Sequence, residues 1–189
     1  MQIKMRIQTK ILPILAALAV AAPLRATTLA RISLDQLATA ADHVARVRCV
    51  SVDSLWENGA IWTVTTFGVV ETLKGRLPAQ VTVHLPGGRV GHLTAAVDGT
   101  PKFNVGAEAI LFLEKSQTGD FTVAGWVEGT FRISRDPRTH REIVTQDSSA
   151  FSVFDPATRS FHTEGIRQMP VDEFRARVRT AIARQQEKK

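Results

Sequence analysis

The stretch Pro86-Gly87-Gly88-Arg89-Val90-Gly91-His92 carries the most suggestive chemistry in this sequence. Glycines let a backbone approach a ligand closely, and successive N–H groups in such a turn can form an anion-binding concavity. Arg89 adds a planar fork that matches a carboxylate or phosphate, and His92 adds an imidazole. Gly87, Gly88, Arg89, Gly91 and His92 are therefore the candidate binding residues. They open an irregular segment, residues 86–106, that also holds Gly99, Pro101 and Gly106. It is longer than an ordinary connection, and such loops in compact domains often carry function. The competing reading is that the glycines serve backbone geometry alone.

Other constellations fall short. The sequence has no G-x-S-x-G elbow, H-E-x-x-H pair, phosphate-binding P-loop or EF-hand spacing. Ser148-Ser149 lies near acids, but serines between strands usually make turns. Cys49 is the only cysteine, so an intramolecular disulfide and a structural zinc–thiolate site are both excluded. It alternates in phase with Ala45 and Val47, which predicts a buried, inert thiol. His84, His92 and Asp98 show no ligand spacing. In strand phase His84 opposes Val83 and Leu85 and is expected to face solvent. Trp56, Trp62 and Trp126 are expected in or beside the core of a small β domain. No catalytic residue, metal or cofactor is expected.

The elements that must position the glycine-rich segment are mostly strands. Ser33 with Gln36 predicts a capping box and a short helix ending near Asp42. Residues 44–56 and 61–73 read as two long strands joined at Asn58-Gly59, a dipeptide suited to positive φ. Gly68 marks a bulge or bend in the second. Residues 80–85 form a third strand, and the unbroken apolar run 109–113 predicts a central, fully buried one. Strands follow over 121–126, 130–134 and 142–145. Asp136-Pro137 and Asp155-Pro156 open two similar hairpin turns, the second between 151–154 and 160–162. Pro170, with Asp172 and Glu173, starts a C-terminal helix whose apolar face is Val171, Phe174, Val178, Ala181 and Ile182. The fold class is mainly β: a small antiparallel barrel or sandwich of about seven strands, with a short N-terminal and a longer C-terminal helix.

The first 26 residues read as a cleavable export signal. Lys4, Arg6 and Lys10 precede an apolar run over residues 11–22, and small residues follow it. The run is too short for a membrane anchor. With Arg25, this segment supplies four of the six net positive charges, so the high pI is largely a property of the signal. Residues 27–166 hold 13 bases and 15 acids, which argues against nucleic-acid binding. The basic excess that remains sits after residue 166, where a solvated helix face is expected rather than membrane contact. The predicted organisation is a signal peptide, 1–26; a β domain, 27–169; and a helix with its tail, 170–189.

The order Thr66-Phe67-Gly68-Val69-Val70-Glu71-Thr72-Leu73-Lys74-Gly75, then Phe103-Asn104-Val105-Gly106-Ala107-Glu108, Ile110-Leu111-Phe112-Leu113 and Gly125-Trp126-Val127-Glu128-Gly129-Thr130-Phe131, resembles a group of exported bacterial proteins of unassigned activity. It is more distantly similar to netrin-like and metalloprotease-inhibitor barrels. The resemblance covers about residues 43–134 and implies an OB-like barrel. It does not carry over the inhibitors' mechanism, which uses an N-terminal cysteine on the protease zinc; here Cys49 lies inside a strand and the expected mature terminus is Thr27. The expected function is an exported, periplasmic or secreted, non-enzymatic binding module. Its expected partner is another exported protein, and residues 86–106 are the contact loop. The alternatives are inhibition of an exported protease, by fold analogy alone, and a hydrolase with an unfamiliar site.

Overall fold

The capping box forms as its residues predict. Ser33 Oγ accepts from the Gln36 N–H at 3.2 Å, and the Ser33 N–H donates to Gln36 Oε1 at 2.8 Å. Helix α1, Leu34–Ala40, is short, and its last carbonyls need partners. Lys74 supplies them: Nζ donates to the carbonyls of Ala38 at 2.7 Å and Ala41 at 2.6 Å. The computed structural model describes residues 32–116, 119–150, 153–155, 159–162 and 165–187. The export signal lies outside the described residues.

Strands β1, His43–Glu57, and β2, Ala60–Lys74, form one long hairpin. Asn58 and Gly59 turn it with φ of 51° and 80°, as the type I′ geometry requires. The predicted irregularity at Gly68 sits mainly on the opposite strand. Gly68 itself pairs in register with Arg48, and the register slips just beyond, between Cys49 and Ser51, leaving Val50 unpaired opposite the Phe67–Thr66 step. Two further slips, between Val44 and Ala45 and between Arg46 and Val47, leave Leu73 and Val70 as the extra residues of β2. Three bulges in one hairpin bend it strongly.

The remaining strands are β3, Gln80–Pro86; β4, Gly88–Val90; β5, Leu93–Ala95; β6, Glu108–Lys115; β7, Phe121–Val123; β8, Thr130–Arg135; β9, Glu142–Gln146; β10, Val153–Asp155; β11, Ser160–His162; and β12, Met169–Pro170. Helix α2, Val171–Glu187, follows. The expectation of about seven strands is thus corrected to twelve among the described residues. The unpredicted ones, β4, β5 and β12, are two or three residues long, too short to show a period. The β4–β5 hairpin also corrects the reading of residues 86–106 as an irregular loop. The predicted 151–154/160–162 hairpin is present as β10–β11; its turn, residues 156–158, lies outside the described residues.

The main sheet runs β1-β2-β3-β7-β6-β8-β9-β12, and β1 also pairs with β6. It is mainly antiparallel; the β3–β7 contact is a single parallel pair, Val83 with Phe121. The sheet is not a simple closed barrel, because it branches beside β6. There β7 and β8 follow one another along the same edge, and residues 124–129 are folded out between them. Phe112 spans the gap, its N–H donating to the Gly129 carbonyl at 3.0 Å and its carbonyl accepting from Ala124 at 2.8 Å. One branch reaches β3 through β7. The other leads through β8 to β9 and β12.

The unbroken apolar run in β6 has a direct cause in this arrangement. Ala109, Leu111 and Leu113 face one core with Val47, Cys49, Phe67, Val83 and Leu85. Ile110 and Phe112 face a second core with Val44, Phe131 and the apolar faces of both helices. A strand with a core on each side has no solvent face, so its sequence cannot alternate.

Candidate functional site

The five glycine-loop candidates lie at the far end of the β1–β2 hairpin, where β4 crosses its face. Gly87 and Gly88 are there for close approach. The Gly87 N–H donates to the Ile61 carbonyl at 2.8 Å, and the Gly87 carbonyl accepts from Thr63 Oγ1 at 2.7 Å. At Gly88, φ is 130°, and a Cβ would stand 2.6 Å from Thr63 Oγ1. The Arg89 N–H donates to Ser54 Oγ at 3.3 Å. Two N–H groups that an anion would need are thus engaged within the chain. Arg89 folds back on its own turn, Nε to the Gly91 carbonyl at 3.1 Å. Gly91 and His92 form the exposed β4–β5 turn. The segment is therefore a docked hairpin whose tip faces solvent.

Apolar side chains gather at this end. Trp56, Leu55, Leu93 and Val97 are all exposed. Trp62 and Trp126 are half-buried as expected, but Trp56 is not: it sits at the tip with 56% of its surface open. The second half of the segment, by contrast, belongs to the core. Phe103 is buried and packs edge-to-face on Phe67 with centroids 4.9 Å apart. The Arg132 guanidinium lies 4.5 Å over the Phe103 ring and donates to the Lys102 carbonyl at 2.6 Å, while Asp147 holds it from the other side. Residues 99–103 are clamped in place.

A polar group that the sequence did not disclose occupies the branch of the sheet. Glu128, in the folded-out segment 124–129, is 3% exposed. Its Oε2 accepts from Gln146 Nε2 at 2.9 Å and from Ser148 Oγ at 3.1 Å. It forms the floor of a cleft of about 630 Å³ whose walls include Leu34, Leu37, Phe131, Arg167 and Arg177. Ser148 and Ser149 are buried in a 3-10 turn; the Ser148 hydroxyl donates to Glu128, and the Ser149 carbonyl accepts from Arg167. Only a strand that breaks at Gly125 and Trp126 could have signalled this, and the run 121–126 reads as continuous strand.

Cys49 is buried as its phase predicts, and burial pushes its thiol above the ordinary range. His84 is half-buried, with Nε2 3.7 Å from Asp120. His84, His92 and Asp98 are not brought together; no group of three metal-ligating side chains occurs among the described residues. One four-residue ion network lies on the sheet. Arg46 bridges Glu108 at 2.5 Å and Glu142 at 2.8 Å, and Arg48 adds a second contact to Glu108. Burial raises the Glu108 carboxyl, but the hydrogen bonds from Arg46 and Arg48 outweigh it and hold it below its usual range. Glu142 is likewise lowered, chiefly by Arg46.

Compared with protein-family models and with curated proteins, the chain matches none.

Proposed function

We propose that this protein is an exported binding module that holds a partner protein at the end formed by the β1–β2 tip and the β4–β5 hairpin. The observation that carries this reading is the apolar surface there: Trp56 at 56%, Leu93 at 46% and Val97 at 38% exposure. Clustered apolar exposure of this kind on a soluble domain marks a contact surface, and Trp is the side chain most enriched where binding energy concentrates. The scaffold beneath is rigid, since Gly87 and Gly88 seat the hairpin and Arg132 clamps the return segment. The pairing circuit β1-β2-β3-β7-β6 and back to β1 supports an OB-type barrel as that scaffold. Export rests on residues 1–26.

The contact region is narrower than residues 86–106. Deleting that whole segment would remove Phe103 from the core, so the informative changes are at its first half. A photo-crosslinking residue placed at Trp56 or Leu93 in cells is expected to capture one partner. The same residue at Arg76, exposed in the β2–β3 connection at the other end of the β1–β2 hairpin, is expected to capture none. Equal capture from all three positions would exclude this surface as the contact.

A further inference from the structure

The outer edge of β1 changes character along its length. Over His43–Arg48 it is covered by β6. Cys49 closes the ladder, exchanging bonds with Gly106 and Ala107 at 2.8 and 2.9 Å. From there to Glu57, among the described residues, β1 pairs only with β2, because β4 pairs with β5 and crosses the hairpin face rather than extending the sheet. Residues 51–57 therefore present an uncovered strand edge about 23 Å long at the usual rise per residue. Such an edge is a template for another strand. This one carries exposed Val52, Leu55 and Trp56 beside exposed Asp53 and Glu57.

We infer that the edge of β1 over residues 51–57 receives an extended partner segment in which basic and apolar side chains alternate. This rests on the binding-module reading and names the partner's chemistry. The charge argument is specific. Between Cys49 and Leu73 the sequence has no Lys, Arg or His, while Asp53 and Glu57 stand along the edge. A second copy of this chain paired antiparallel about Leu55 is disfavoured: that register sets Asp53 opposite Glu57 twice, and like charges directly opposed destabilise a ladder. A strand with Lys or Arg opposite Asp53 and Glu57 gains ion pairs on that face and, by the two-residue period of a strand, lays its alternate apolar residues on the other face beside Val52 and Trp56.

The test uses the purified protein and a capped ten-residue peptide alternating Lys and Val, with Glu/Val and alternately N-methylated Lys/Val peptides as comparisons. The Lys/Val peptide is expected to bind and to slow amide exchange within residues 51–57. The D53K/E57K variant, altered only at exposed positions, is expected to bind it at least tenfold more weakly. The Glu/Val and N-methylated peptides are expected not to bind. Equal binding of the N-methylated peptide would overturn the strand-pairing mode, and equal binding of the Glu/Val peptide would overturn the charge preference. Absence of Lys/Val binding, or protection confined to another segment, would overturn the edge assignment. The binding-module reading is judged separately, by crosslinking from Trp56 and Leu93.

Discussion

Gly88 lies so close to Ser54 that a Cβ built on the glycine would stand 2.5 Å from the serine Oγ. The hairpin that carries Arg89 and His92 is thus seated on the β1–β2 arm by the absence of a side chain. Gly88→Ala must move Ser54 and Thr63 and also hold an L-residue at φ of 130°. The expected cost is about 2–3 kcal/mol, the scale of a strained backbone plus overpacking. Gly91→Ala meets nothing within 4 Å and bears only its positive φ, so about 1 kcal/mol is expected. Urea unfolding of the two variants checks the ranking.

The Arg46 network sets an acid limb of stability. Glu108 and Glu142 both have folded values below their ordinary ones. Their contribution is therefore present above about pH 4.3, the usual glutamate value, and is lost as pH falls through the lowered folded values. Arg46→Met is expected to cost about 2 kcal/mol at pH 7, since it leaves the partly buried Glu108 held by the more exposed Arg48 alone and takes Arg46 from Glu142. It is also expected to flatten the stability decline between about pH 5 and 3. Unfolding midpoints measured across that range test both; a decline as steep as in the unaltered protein would refute the assignment.

Cys49 is expected to resist thiol reagents in the folded protein, because burial both shields the sulfur and disfavours the thiolate. Labelling with a chromogenic disulfide should rise only as denaturant unfolds the chain. Rapid labelling under native conditions would show that the β1–β6 seam opens on its own.

Ser148→Ala removes one donor from the buried Glu128 carboxylate while leaving Gln146 in place. A loss of about 1–2 kcal/mol is expected. Ser149→Ala, whose carbonyl rather than hydroxyl receives Arg167, is expected to cost less, and thermal unfolding of the pair compares them.

The readable parts of the sequence were those where one period or one cap dominates. Ser33 and Gln36 gave the first helix its start, Asn58-Gly59 the long hairpin, and the α2 stripe its buried face, because each signal is local. The run 109–113 was legible as buried because two cores leave it no polar side. Residues 121–126 misled, since Gly125 and Trp126 look like strand continuation until Phe112 is seen bonding to both ends of the excursion. Gly87 and Gly88 have the composition of a ligand loop, but they answer to Thr63 and Ser54, which are distant in sequence. Glu128 gave no sign at all, because its partners arrive 18 and 20 residues later.

The two-sided burial of β6 has a consequence in time. A ribosome delivers Phe112 long before Phe174, whose ring finally rests 4.5 Å from Phe131. Until the last helix arrives, Ile110 and Phe112 have one wall of their compartment missing. A chain cut short before Val171 would not yield a smaller stable protein. It would keep its hairpins and bare an oily flank, and aggregation rather than loss of a dispensable tail is the outcome to look for.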